Sequence, residues 1–142
     1  ICDARWSKTI GYFNDLVYVC APAPLQMGVA KGLNELEPEY YNKLSEEYLK
    51  KRENICNALS MAGLKPYVPQ GAYYVLADIS RLPGSSSKER AMYLLQKTGV
   101  ACVPGEAFYH DDAGEGLARF CFAKKESVLD EACNRLERLN RR

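Results

Sequence analysis

Histidine and tryptophan occur once each, no two cysteines stand in a Cys-x-x-Cys spacing, and no long apolar run crosses the chain. Each scarcity removes a class of function. One histidine and six scattered cysteines, Cys2, Cys20, Cys56, Cys102, Cys121 and Cys133, leave a structural zinc site almost nothing to be built from. Several of these cysteines fall at apolar positions of predicted helices or strands, where a free thiol behaves as a small hydrophobe. Reduced thiols in a cytoplasmic protein are therefore expected, not a disulfide framework. No window approaches the roughly 18 apolar residues of a membrane helix, and Ile1-Cys2-Asp3-Ala4-Arg5 carries acid and base too early for a signal peptide. An excess of one charge is missing too. The chain balances 19 basic against 18 acidic side chains, and its basic pairs, Lys50-Lys51, Lys124-Lys125 and Arg141-Arg142, are separate. Nucleic-acid binding needs a concentrated basic face, so a generic DNA or RNA binder is excluded.

What is present is 142 residues with enough apolar side chains to bury one domain's core. The chain opens on Ile1 instead of Met, and Ile1-Cys2 reads as the end of an apolar run. A piece of a longer protein is expected.

Residues 4–19 place Ile10, Phe13, Leu16 and Val17 near helical spacing until Pro22 and Pro24 stop them, and a second short helix is predicted over 25–36. Pro38 suits the first turn of a long helix whose apolar positions, Tyr41, Leu44, Tyr48, Ile55, Leu59 and Ala62, run to a stop at Gly63. Beyond it the period changes to two. Strands are predicted over 64–68 and 73–79 with a turn at Pro69-Gln70-Gly71, then a helix over 88–97, strands over 100–103 and 117–123, and a closing helix over 127–139. Pro104-Gly105 is expected to break the third strand. The order predicts an α+β domain, with a small, mostly antiparallel sheet packed against helices.

The strand around Arg119 carries the chemistry. Alternation sets Ala118, Phe120 and Phe122 on one face and Arg119, Cys121 and Ala123 on the other. With the two phenylalanines packed on helices, Arg119 projects from the opposite face beside the small Cys121. Its planar fork there suits a carboxylate, which is either a ligand or an Asp or Glu of the same domain. His110-Asp111-Asp112 reads as an exposed loop, since neighbouring side chains diverge, and a Cys102–His110 nucleophile lacks an orienting third group. Of the ten tyrosines, Tyr40, Tyr41 and Tyr48 belong to the long helix and read as core and interface.

Three segments together, Pro69-Gln-Gly-Ala-Tyr-Tyr-Val-Leu-Ala-Asp78, Val103-Pro-Gly-Glu-Ala-Phe108 and Ala118-Arg-Phe-Cys-Phe-Ala-Lys-Lys125, resemble the C-terminal part of fold-type I aminotransferases that use pyridoxal phosphate. The kynurenine and methionine aminotransferase branch is the nearest likeness. The resemblance implies that residues 1–36 continue from a large domain that precedes this segment and that 37–142 form the small C-terminal domain. It implies that Arg119 binds the substrate's α-carboxylate, that Tyr18 contacts substrate across a homodimer interface, and that Pro104-Gly105 shapes a loop closing over the amino acid. It also implies a cofactor-bonding lysine, an acidic partner for the pyridine nitrogen and a phosphate cup, all within the large domain. Ser7-Lys8-Thr9 imitates the lysine motif, but Arg5 and Trp6 replace the small and aliphatic residues before it and Leu16 stands in place of its arginine. Lys8 is thus expected to be an exposed helix lysine. Two other functions stay open on the sequence: a pyridoxal-phosphate carbon–sulfur lyase, and a non-catalytic module that binds carboxylates or a partner.

Overall fold

The structure, a computed structural model, describes residues 2–140, so Ile1 and the Arg141-Arg142 pair lie outside the described residues. The chain divides into two compact units, residues 1–41 and 42–142.

The first unit holds α1 (Ala4–Val17), α2 (Ala23–Glu35) and the opening residues of α3 (Pro38–Met61). Asp3 caps α1, its Oδ1 accepting the Arg5 N–H at 2.9 Å. Trp6, Ile10, Phe13 and Val17 recur at helical spacing, yet all four are exposed, and neither α1 nor α2 buries a residue. Helix formation here follows local rules without a core. Tyr40 and Tyr41, expected in core or interface, are also exposed and meet edge to face.

The second unit is built on the rest of α3. Ile55, Leu59 and Ala62 form its buried stripe, and Tyr48 packs on the same core from partial exposure. The helix stops at Gly63, whose φ of 74° is strained for any residue with a Cβ. The Leu64 N–H reaches the Leu59 carbonyl and the Gly63 N–H the Ser60 carbonyl, both at 2.9 Å, which satisfies two carbonyls of the last turn and buries Leu64. Arg81 Nη1 donates to the Gly63 carbonyl at 3.0 Å, and Asn140 Nδ2 to that of Met61 at 2.6 Å.

Past that cap the chain enters a four-stranded sheet of order β1-β2-β4-β3, every pair antiparallel. Its strands are β1 (Lys65–Tyr67), β2 (Tyr74–Asp78), β3 (Val103–Pro104) and β4 (Leu117–Cys121), with α4 (Ser87–Thr98) between β2 and β3 and α5 (Glu126–Glu137) after β4. The α+β class read from the sequence holds. Val75, Ala77 and Ile79 from β2 and its end join Ala118, Phe120 and Phe122 on one face, buried with Leu94 of α4 and Leu129, Cys133 and Leu136 of α5. The opposite face carries the alternate residues, including Tyr74, Leu76, Leu117 and Arg119.

Two local readings are corrected. The third strand begins at Val103 and includes Pro104, because only those residues pair with β4, opposite Arg119 and Ala118. Pro104 is tolerated because β3 is an edge, where a missing N–H removes no second ladder. The β1–β2 connection is wider than a tight turn, runs from Val68 to Tyr73, and puts its left-handed residue at Ala72 (φ 64°). Arg52 Nη1 braces it by donating to the Pro69 carbonyl at 2.9 Å.

Leu59 is fully buried, so Leu59→Ala is expected to lower unfolding free energy by about 2–5 kcal/mol, while Leu16→Ala on exposed α1 changes it by less than about 0.5 kcal/mol; urea titration of the second unit's signal checks both. All six cysteines are free thiols. Cys2, Cys20 and Cys121 are exposed, whereas Cys56 and Cys133 are buried, and burial pushes the Cys102 and Cys133 thiols up to about 11. At pH 8 little thiolate forms on those two. Native labelling with a disulfide reagent at pH 8 is therefore expected to report three fast thiols, and denatured labelling six.

Candidate functional site: an arginine beside two rings

β4 is an inner strand, so ladders on both sides fix the backbone of Arg119, opposite Leu76 on β2 and Val103 on β3. Because Ala118 and Phe120 are drawn into the core, Arg119 must leave from the other face. There its guanidinium carbon lies 5.1 Å from the ring centre of Tyr74 and 4.5 Å from that of Phe108. Tyr74 stands diagonally across the β2–β4 ladder, paired with Cys121, while Phe108 comes from the loop that joins β3 to β4. Both rings present their electron-rich faces to the cation.

The polar edge of this guanidinium is unspent. Its Nε is buried without a hydrogen-bond partner, and among the described residues Arg119 makes no ion pair. Two other arginines also bury a partnerless Nε, but each spends an Nη on a backbone carbonyl: Arg52 on Pro69 at 2.9 Å and Arg90 on Glu115 at 2.7 Å. The internal carboxylate partner that the sequence left open for Arg119 is not formed. The half-buried guanidinium keeps two rings within cation–π distance and meets no carboxylate among the described residues, an arrangement suited to a planar anion delivered from outside the unit.

The same sheet face has a polarity. Next to Leu76, a cavity of about 460 Å³ is lined by Tyr67, Leu76, Asp78, Ser80, Tyr109 and Leu117, among others. Hydrogen bonding from Ser80, whose N–H lies 2.8 Å from Oδ1, holds the Asp78 carboxyl below the usual carboxylate range. An anion is thus attracted at Arg119 and repelled two residues along β2, about 7 Å away.

Tyr18 belongs to the first unit, where it follows α1, is exposed, and donates its N–H to the Asn14 carbonyl at 2.8 Å. The next residue, Val19, holds φ 65°, a costly conformation for a β-branched side chain. Lys8 lies exposed on α1, as expected. The His110-Asp111-Asp112 segment is exposed, with Asp111 Oδ1 accepting the Ala113 N–H at 3.1 Å in a short turn. Among the described residues no group of three or more His, Cys, Asp or Glu is placed to hold a metal, and no helix is long and apolar enough to cross a membrane. The rings of Tyr74 and Phe108 are what sequence reasoning missed. Tyr74 carried a usable signal, since period two sets it on the Arg119 face; Phe108 carried none, because its loop has no period.

Comparison with known proteins places the chain in a family. The family model described as aminotransferase class I and II matches residues 1–136. A kynurenine–oxoglutarate transaminase of Dictyostelium discoideum is 33% identical over 84% of this chain and 32% of its own length. A methionine aminotransferase of Escherichia coli is 38% identical over 82% and 30%, respectively. Among solved structures, the Escherichia coli protein YbdL, identified as a methionine aminotransferase, superposes with a TM-score of 0.78 at 34% identity, covering 97% of this chain and 36% of that one. An aromatic aminotransferase from Pyrococcus horikoshii gives 0.74 at 32% identity, covering 92% and 34%. The chain therefore spans about a third of these relatives. With the match running through both units and the strand that bears Arg119, the chain belongs to the aminotransferase class I and II family.

Proposed function

We propose that this chain forms the carboxylate-binding part of a pyridoxal-phosphate aminotransferase that moves an amino group between an amino acid and a 2-oxo acid. The observation that carries the reading is Arg119: an arginine on an inner strand, within cation–π distance of two rings, with no anionic partner among the described residues. The two ring contacts lower the entropy lost on binding, because they restrict the guanidinium beforehand. A carboxylate can then take two parallel, charge-assisted hydrogen bonds from the guanidinium, and the neighbouring rings limit the water around the pair. Two-point binding fixes the plane of the carboxylate and with it the direction of the substrate's Cα–H bond, which is Arg119's share of the catalysis.

Pyridoxal phosphate, when bound, supplies the electron sink for amino transfer. The residues set around Arg119, Tyr74, Phe108, Leu76 and Val103, carry no amine and do not fit its attachment. We place the cofactor-bonding lysine outside this chain, in keeping with its coverage of about a third of the relatives. In the same reading residues 1–36 go with a large domain, 37–142 form the small domain, Tyr18 reaches substrate across a homodimer interface, and the enzyme works in the cytoplasm, where six free thiols persist.

Titration of the chain with pyruvate and with its amide, followed by NMR, tests the site. Pyruvate is expected to bind in preference to pyruvamide, and Arg119→Lys, which loses the two-point fork, to weaken it about tenfold. Equal binding of acid and amide, or unchanged pyruvate affinity in Arg119→Ala, would remove the reading. The chain mixed with pyridoxal phosphate and methionine or kynurenine is expected to yield no oxo acid; product formation would return the lysine to this chain.

A further inference from the structure

Phe108 cannot hold its place over Arg119 by its own burial. It is 45% exposed, and the residues that follow it, Tyr109 to Ala113, are exposed as well. Its position has to come from the neck of the loop between β3 and β4. Phe108 stands three residues from that neck and donates its N–H to the Gly105 carbonyl at 2.9 Å.

The neck is closed twice over. Gly105 and Gly114 touch backbone to backbone: a Cβ on Gly105 would sit 2.1 Å from the Gly114 carbonyl oxygen, and one on Gly114 would sit 2.6 Å from the Gly105 carbonyl. Beside them, both arms of the loop are tied to the first turn of α4. On one arm, Glu106 Oε2 accepts the Ser87 hydroxyl at 2.9 Å and the Lys88 N–H at 3.2 Å, while Ser87 Oγ accepts the Glu106 N–H at 3.1 Å. On the other arm, Glu115 Oε2 accepts the Ser87 N–H at 3.0 Å. Ser87 is fully buried although it is polar, as befits a group satisfied on every side. Two carboxylates on free amides at a helix N-terminus are favoured by the helix dipole as well as by the bonds themselves.

We infer that the Ser87–Glu106–Glu115 latch on α4 positions Phe108 against Arg119, so that the carboxylate affinity of the site depends on side chains that touch neither the arginine nor its ligand. Glu106 and Glu115 are positioning residues. The ligand half of this inference rests on the carboxylate reading of Arg119; the positioning half does not.

The Nε–H resonance of Arg119 in the 142-residue chain reads the positioning half directly, since stacked rings displace it upfield. Glu106→Ala and Ser87→Ala are expected to remove at least half of that displacement. Glu89→Gln is the control: Glu89 also sits in the first turn of α4, but its carboxylate accepts from the Ser85 N–H and hydroxyl and makes no hydrogen bond to the loop, and the Arg119 resonance in this variant is expected to match wild type. Pyruvate affinity in the two latch variants is expected to fall about threefold to tenfold, the cost of ordering a freed side chain on binding. If Glu106→Ala loses amide dispersion, Glu106→Leu, which keeps the volume and removes both acceptor oxygens, takes its place. An Arg119 resonance that stays put in a folded Glu106 or Ser87 variant overturns the latch. A resonance that moves while wild-type chain binds no pyruvate upholds the latch and defeats the carboxylate reading.

Discussion

Burial of Ala118, Phe120 and Phe122 under the helices is the constraint from which the site follows. A strand offers its side chains two directions only, so drawing three alternate residues into the core sends Arg119 out through the opposite face. A slip of one residue in the β2–β4 register would invert the pattern, placing a guanidinium in the core and a phenylalanine in water. The energy that fixes the arginine is therefore not its own. It is the transfer of two phenylalanine side chains and their neighbours from water into packed contact, a few kcal/mol for each ring.

The outward face then has to accommodate a cation. A guanidinium with a buried nitrogen and no hydrogen bond carries a desolvation cost that a structural arginine meets with carbonyls, as Arg52 and Arg90 do. Arg119 meets part of it with two ring faces and leaves its edge unspent. This is a poor arrangement for stability and a good one for binding, because the rings restrict the cation beforehand while no carboxylate of the described residues occupies it. Asp78 on the same face makes the field directional. The loop that brings Phe108 has few apolar contacts at its tip, so its order is supplied at the neck, by two glycines in backbone contact and two carboxylates on the α4 amides.

Much of this fold is legible in residue order. Pro38 and Gly63 bracket the long helix within two residues of its observed ends, and the faces of β2 and β4 follow from period two. Errors fall where local chemistry does not decide. Val100 to Cys102 have strand composition but no partner strand, whereas Pro104, a poor strand residue, pairs because it lies on an edge. The apolar stripe of α1 is genuine and yet buries nothing in its own unit, which shows that amphipathicity records a tendency to be covered without naming the cover. The exposed Tyr40 and Tyr41 are a second instance.

By itself, the order of residues determined the helices, the class of the fold, the face from which Arg119 emerges and the likeness to aminotransferases, because all of these rest on periods and caps spanning a few residues. Tertiary structure alone decided that Arg119 meets no anion among the described residues, that Phe108 lies against it, and that Glu106 and Glu115 converge on Ser87 from positions 19 and 28 residues away. The reason is physical. A contact between residues far apart in sequence forms only when the core has paid the entropy of bringing the intervening chain together, and nothing in the local sequence records which distant groups will then meet.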